Sequence, residues 1–344
     1  MTLSKLWKKI KNISYEWLPL TGMVTMVYMI QRGFLAIHKA GIAPEGVDIK
    51  GAMSIFFTAT AFGCLGLGFL ADRLKTEALI LVAAISGTIG ILMLGINPII
   101  FGILMGLSAA VAKMVPFMGP LKTKTTKHEA MRITPQALGK QLGAALMMFV
   151  LGASIKVAGF GLFTSILAPV WLGACLWAWY LVQKYDIKLL KWNWESVKAT
   201  LSNWKLYVYA LWYAAMAVTL YTVLPMIIPT FISMEMTKAE AVTLYGTLGL
   251  CLMWLRFGWS WLADKFNIHL HLMLASVAIY TLAVFLMPTI PVIAIGAVLV
   301  MMQSVTPCMW TTAKKWFGSK YMGTAMGIVM IFSYIIIGLY LGKW

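Results

Sequence analysis

Two short stretches decide how this chain folds: Gly68-Phe69-Leu70-Ala71-Asp72-Arg73-Leu74-Lys75 and Ser260-Trp261-Leu262-Ala263-Asp264-Lys265-Phe266-Asn267. Both read small-x-Leu-Ala-Asp-basic, and both close a long apolar run. Asp72 and Asp264 are 192 residues apart. A second echo supports the first. Leu138-Gly139-Lys140-Gln141-Leu142-Gly143 and Met322-Gly323-Thr324-Ala325-Met326-Gly327 each open an apolar run, with Gly139 and Gly323 184 residues apart. Repeated motifs at such a spacing are the mark of duplicated halves.

Working outward from these anchors, apolar runs fall at 17–37, 51–71, 77–95, 97–119, 137–158, 160–183, 206–232, 241–263, 269–288, 289–310 and 322–342. Most are near the ~20 residues that a bilayer core requires of a helix. The expected architecture is an all-α, polytopic membrane helix bundle with two pseudo-symmetric halves of six and five helices. Its parts are an amphipathic N-terminal segment (1–16), a six-helix half (17–183), a linker (184–205) and a five-helix half (206–344). Span 6 starts near residue 161, and the repeat spacing places its counterpart past Trp344. The plan is therefore that of twelve helices lacking the last.

Composition agrees. The chain is 61% hydrophobic and 11% charged, with a mean hydropathy of +0.85, whereas soluble domains carry about 25% charged residues. Cys64, Cys175, Cys251 and Cys308 are scattered through apolar runs and read as small buried hydrophobes. His38, His128, His269 and His271 lie at loops or span ends, without acids at ligand spacing, so neither a metal nor a cofactor is expected, and an enzyme is disfavoured.

The net charge of +17 suggests nucleic acid until the charges are placed. With the N-terminus in the cytoplasm and the loops alternating, twenty Lys and Arg fall in cytoplasmic segments and four in outer ones. That asymmetry is the positive-inside signal, so the charge orients the chain rather than binding nucleic acid. Residues 3–15 and 186–205 mix Leu, Ile and Trp with lysines and read either as interfacial amphipathic helices or as basic loops.

Four bases remain inside spans: Arg32, Lys113, Lys156 and Arg256. All eleven acids fall in loops or at span ends. A base at mid-membrane costs about 2.5–3.5 kcal/mol on insertion scales, and no acid within a span is available to offset it. A passing anion would supply the missing charge; snorkelling or a backbone hydrogen bond is the alternative. Arg32 ends a stripe with Thr21, Thr25 and Tyr28, while Gln303, Thr306 and Trp310 share a face of span 10. Tyr209 and Tyr213 share one of span 7. Such stripes also serve as interhelical hydrogen bonds.

These residues resemble the major facilitator superfamily. Its hallmark, Gly-x-Leu-Ala-Asp-Arg/Lys-x-Gly-Arg/Lys, is met by Gly68, Leu70, Ala71, Asp72 and Arg73. Lys75 and Thr76 depart from its last pair, and Ser260 and Asn267 stand for glycines in the second copy. Asn is the usual substitute where the backbone turns left-handed. The resemblance implies that helices 1, 4, 7 and 10 line a central cavity, with 2, 5, 8 and 11 beside them and 3, 6 and 9 facing lipid. It puts all four buried bases on cavity-forming helices. The Arg256-to-Asp264 spacing is similar to that of monocarboxylate and nitrate-type members.

The expected function is a secondary transporter of a small anion, either an organic carboxylate or an inorganic oxyanion, in the cytoplasmic membrane. Substrate-binding candidates are Arg32, Arg256, Lys113, Tyr28, Lys156, Gln303 and Tyr213. Gating candidates are Gly68, Asp72, Arg73, Asp264 and Lys265. The expected partners are the anion and the bilayer, with the protein a monomer. The alternatives are a proton-coupled exporter, which would need a carboxylate in the membrane, and a non-transporting platform or sensor.

Overall fold

The structure is a computed structural model that describes residues 20–39, 48–71, 75–122, 128–157, 160–184 and 194–342. Among the described residues there are helices and no strands. In chain order they are α1 (Leu20–Lys39), α2 (Ile49–Ala71), α3 (Thr76–Met93), α4 (Pro98–Lys122), α5 (Glu129–Val157) and α6 (Phe160–Lys184). After the short α7 (Trp194–Leu201) come α8 (Trp204–Ser233), α9 (Lys238–Leu252), α10 (Leu255–Phe266), α11 (His269–Leu286) and α12 (Pro291–Gly342).

Nine stretches of the described residues are long and apolar enough to span a membrane. One joins α9 to α10, so span 8 of the sequence is a single span broken by a turn at Met253–Trp254. Two lie within α12, Pro291–Gly318 and Tyr321–Leu339, and correspond to spans 10 and 11. Between them Gly318 takes φ 71°, ψ 164°, a conformation open in practice only to glycine. In α1 the described apolar part is only Leu20–Gln31. The first three turns of α5 carry Arg132, Thr134, Gln136 and Lys140.

The sequence reading starts span 5 at residue 137, but α5 starts at Glu129, with Pro135 inside it. Proline within a membrane helix is tolerated because neighbours re-satisfy the freed backbone. The shift matters, because Lys140, counted with the cytoplasmic charges at the very start of the expected span, stands eleven residues into the helix.

Helix ends follow their sequence signals. Thr237 and Glu240 form a reciprocal capping box at the start of α9. At the end of α10, Asn267 takes φ 56°, ψ 34°, the left-handed turn expected where it replaces glycine.

Small residues set the packing, as they do where helices associate without a hydrophobic drive. A Cβ on Gly106 would come within 2.6 Å of the Phe56 carbonyl oxygen, which holds α4 close to α2. A Cβ on Gly143 would overlap the Thr25 carbonyl, which holds α5 close to α1. The halves meet along two seams, α2 against α12 and α5 against α9 and α10. Apolar side chains of α3 (Val82, Ile85), α6 (Val170, Trp177) and α11 (Leu282, Phe285) point outward, as the resemblance implies for helices 3, 6 and 9. Cys64, Cys175 and Cys308 are buried, but Cys251 is exposed, against expectation, because α9 turns that face away from the bundle.

Residues 1–16 lie outside the described residues. Of the linker, α7 is a short helix that buries Ser196, Val197 and Thr200 and leaves Trp194 exposed. Lys205, Lys265, Lys314 and Lys315 gather at one end of the bundle, called here the lysine-rich end.

Candidate substrate site

Between the halves lies a small, partly open cavity. Lys140 of α5, Arg256 of α10 and Thr306 of α12 line it, with Tyr28, Tyr213, Tyr221, Tyr245 and Tyr334 around them. The break in span 8 carries Arg256 to this wall. The Arg256 backbone N–H donates to the Met253 carbonyl (3.2 Å) and that of Phe257 to Trp254 (3.1 Å), a tightened turn just where the cation is presented.

Arg256 is 2% exposed. Its Nε donates to Gln303 Oε1 at 2.7 Å, and Gln303 Nε2 donates to the Leu299 carbonyl at 2.9 Å, which fixes the amide. Another guanidinium nitrogen donates to the Ala137 carbonyl on α5, in the other half. One turn along α5, Lys140 Nζ donates to Thr306 Oγ1 at 2.9 Å and lies 4.6 Å from the centre of the Tyr28 ring. Two cations, one from each half, therefore stand at the same wall. No Asp or Glu lines the cavity among the described residues.

Lys113 is 1% exposed and lies behind the wall rather than on it. Its ammonium is 4.3 Å from the Tyr334 ring centre and 5.4–5.6 Å from those of Phe56, Phe57 and Tyr28. Four ring faces offset the buried charge, so the burial of Lys113 does not by itself imply an anion. Gln303 likewise sits behind Arg256 and steadies it. Of the other candidates, Tyr28 and Tyr213 line the cavity. Arg32 and Lys156 belong to α1 and α5, but their side chains lie outside the described residues. Gln31, next to Arg32, donates to the Tyr221 hydroxyl and so ties α1 to α8.

Toward the lysine-rich end the seam closes in one antiparallel register. Arg256 meets Ala137, the Ser260 hydroxyl meets that of Thr134 at 2.7 Å, and Asp264 meets the start of α5. There the carboxylate accepts the N–H groups of Ala130 and Met131, each at 3.1 Å. A carboxylate at a helix N-terminus satisfies otherwise free donors and the helix dipole together. His269 Nε2 lies 3.0 Å from the same carboxylate, and its Nδ1 lies 3.1 Å from Lys315 Nζ. Lys314 pairs with Glu129 at 2.7 Å. Above these contacts Trp310 of α12 stacks on Phe117 of α4, with centroids 5.3 Å apart and planes at 6°.

Among the gating candidates, Asp264 is thus in a cross-half latch. Lys265 is not: it is exposed and lies over Trp261 and Phe266 of its own helix. Asp72, Arg73 and the surroundings of Gly68 lie outside the described residues. Sequence reasoning missed Lys140, His269 and the Glu129–Lys314 pair. For Lys140 a signal was present, since it sits inside the repeated motif that opens spans 5 and 11.

The comparisons with known proteins agree on the fold. The family model described as Major Facilitator Superfamily matches residues 17–340. No curated protein matches the sequence. Among solved structures, the human organic anion transporter MFSD10 (TETRAN) is similar, with a TM-score of 0.67, 13% identity, and 96% of this chain and 92% of that chain covered. The nucleoside transporter NupG follows at 0.65 and 13%, covering 95% and 91%. A D-xylose–proton symporter gives 0.61 and 10%, covering 96% and 90%. At such identities the likeness is one of fold, shared by proteins whose substrates differ.

Proposed function

The chain belongs to the Major Facilitator Superfamily, and on that premise we propose that it is a secondary transporter that carries a small anion by alternating access. The observation that carries this reading is the pairing of Lys140 and Arg256, from opposite halves, at one cavity wall without a lining carboxylate among the described residues. In a water-poor site two cations attract an anion far more strongly than in bulk water. Because they belong to different halves, a bound anion bridges the parts that rock.

Rocking replaces one set of contacts with another. In the observed state Arg256 is held by Ala137 and Gln303, and Lys140 by Thr306. An anion that takes over these donors weakens the hold of α5 on α10 and α12. Opening then requires release of Thr134–Ser260, Asp264 from the start of α5, and Glu129–Lys314. The lysine-rich end is the cytoplasmic one on this reading, and the protein acts as a monomer in the cytoplasmic membrane. A proton-driven exporter would call for a carboxylate in the cavity, which the described lining lacks.

Uptake of labelled small anions into proteoliposomes tests the proposal, comparing the intact chain with Arg256→Ala and Lys140→Ala. Both substitutions should lower flux at sub-saturating substrate by about tenfold or more, the scale of a lost charged hydrogen bond. Flux unchanged in both would sink it.

A further inference from the structure

We propose that the outer face of α7, with Trp194, Lys198 and Leu201 in one stripe and Trp204 just beyond, docks on the headgroup of an anionic phospholipid. This surface belongs to the linker between the halves and stands apart from the cavity.

α7 is inverted for a helix in water. It buries Ser196, Val197 and Thr200, and it exposes Trp194 (62%) and Leu201 (39%). The Thr200 hydroxyl tolerates burial because it donates to the Ser196 carbonyl at 2.6 Å, inside the helix. The inner face packs on α12 and α8. At about 100° per residue, Trp194, Lys198 and Leu201 fall within about 60° of one another. Glu195 is turned about 100° from Trp194 and sits in the first turn, where the helix dipole favours an acid. The stripe itself therefore carries positive charge only.

Hydrogen bonds fix where the stripe sits. The Ser202 N–H donates to the Lys198 carbonyl (2.9 Å) and the Asn203 N–H to that of Thr200 (3.1 Å). The Asn203 side chain then caps α8 by accepting the Lys205 N–H at 3.1 Å. From α8 the Tyr207 hydroxyl returns to the Leu201 carbonyl at 2.9 Å. The two helices thus share one braced corner. Beyond it the exposed row runs on through Trp204, Tyr207, Val208 and Leu211, at the start of the span Trp204–Ser233. That row meets acyl chains. The stripe of α7 continues it outward to headgroup level, where tryptophan and tyrosine rings collect.

Charge selects the headgroup. Trp194 and Leu201 alone would accept any lipid, but Lys198 is exposed between them and Lys205 is half-buried beside Trp204. A lysine next to apolar anchors reaches for phosphate. A zwitterionic headgroup brings an ammonium of its own to these lysines, and an anionic one does not. A second copy docked by the same stripe would set like charges against each other.

Tryptophan quenching in the full chain tests this, in nanodiscs containing phosphatidylglycerol or phosphatidylcholine brominated near the top of the acyl chains, at equal mole fraction. The difference between the intact chain and Trp194→Phe isolates the Trp194 signal. Brominated phosphatidylglycerol should quench it at least twofold more than brominated phosphatidylcholine, and Lys198→Gln should make the two equal. Both substitutions are at exposed positions, and an unchanged thermal melt would show that the fold is kept. Equal quenching by both lipids in the intact chain would overturn the anionic headgroup. Quenching by neither would mean that water or a second copy covers the face, and the proposal would fall. Neither result bears on anion uptake, which the flux assay judges separately.

Discussion

Arg256 holds two kinds of contact at once, a side-chain amide in its own half and a backbone carbonyl in the other. Both of these partners are neutral dipoles. Gln303→Glu removes that property. A carboxylate at 2.7 Å from Nε would neutralise the guanidinium, and anion uptake should disappear while the protein stays folded. Proteoliposome flux together with a thermal melt checks both halves of this statement. Gln303→Leu should raise the apparent KM by about tenfold, since the loss of a hydrogen bond to a charged group is worth about 1.5–3 kcal/mol. Arg256 was legible in the sequence because a charge within an apolar run has few explanations. Lys140 carried only the weaker signal of the repeated motif, because it sits among Gln136, Gln141 and Arg132 at the edge of an apolar run. Its entry into the bundle depends on where α5 begins. Nor did Lys113 disclose its four-ring cage, which is assembled from three helices.

The same limit applies to elements. Spans were readable from apolar length, and the left-handed Asn267 from its place in the repeat. The break at Met253–Trp254 was not, because the run Leu252-Met253-Trp254-Leu255 contains neither Gly nor Pro and only tertiary packing interrupts it. The pairing of α5 with span 8 has one antiparallel register throughout. Ala130, Thr134 and Ala137 face Asp264, Ser260 and Arg256, and Ala145 faces the Gly246–Gly249 stretch. A disulfide in this register should lock the lysine-rich end. With Cys251 replaced by Ala, the pair Thr134→Cys and Ser260→Cys should lose transport on oxidation and regain it on reduction; flux insensitive to oxidant in a verified cross-linked sample would contradict the gate. Packing gives a further prediction. Gly106→Val must displace the Phe56 carbonyl or part α2 from α4, and overpacking of this kind costs about 1–3 kcal/mol. A lower melting temperature in detergent than that of the intact chain is the expected readout.

At the scale of the whole molecule, charge and packing point along the same axis. The latches formed by Asp264, Glu129 and Lys314 lie at the lysine-rich end, which the positive-inside asymmetry of the sequence predicts to be cytoplasmic. Lys198 is exposed on α7 at this end. In inside-out vesicles a Lys198→Cys variant, with Cys251 removed, should react with a membrane-impermeant maleimide, and in intact cells it should not. The reverse pattern would invert the orientation. The two-half plan was legible because duplicated motifs survive in sequence. The contacts by which the halves close were not, because each joins residues more than a hundred positions apart.

The Trp310–Phe117 stack gives this closure an optical consequence. Trp310 is 1% exposed, and its ring partner belongs to the opposite half. Parting the halves at the lysine-rich end must unstack the pair and admit water to the indole, which shifts tryptophan emission to the red. The difference spectrum between the intact chain and Trp310→Phe would isolate that signal from the other fourteen tryptophans. The position of the gate could then be followed in real time by fluorescence, without an attached dye.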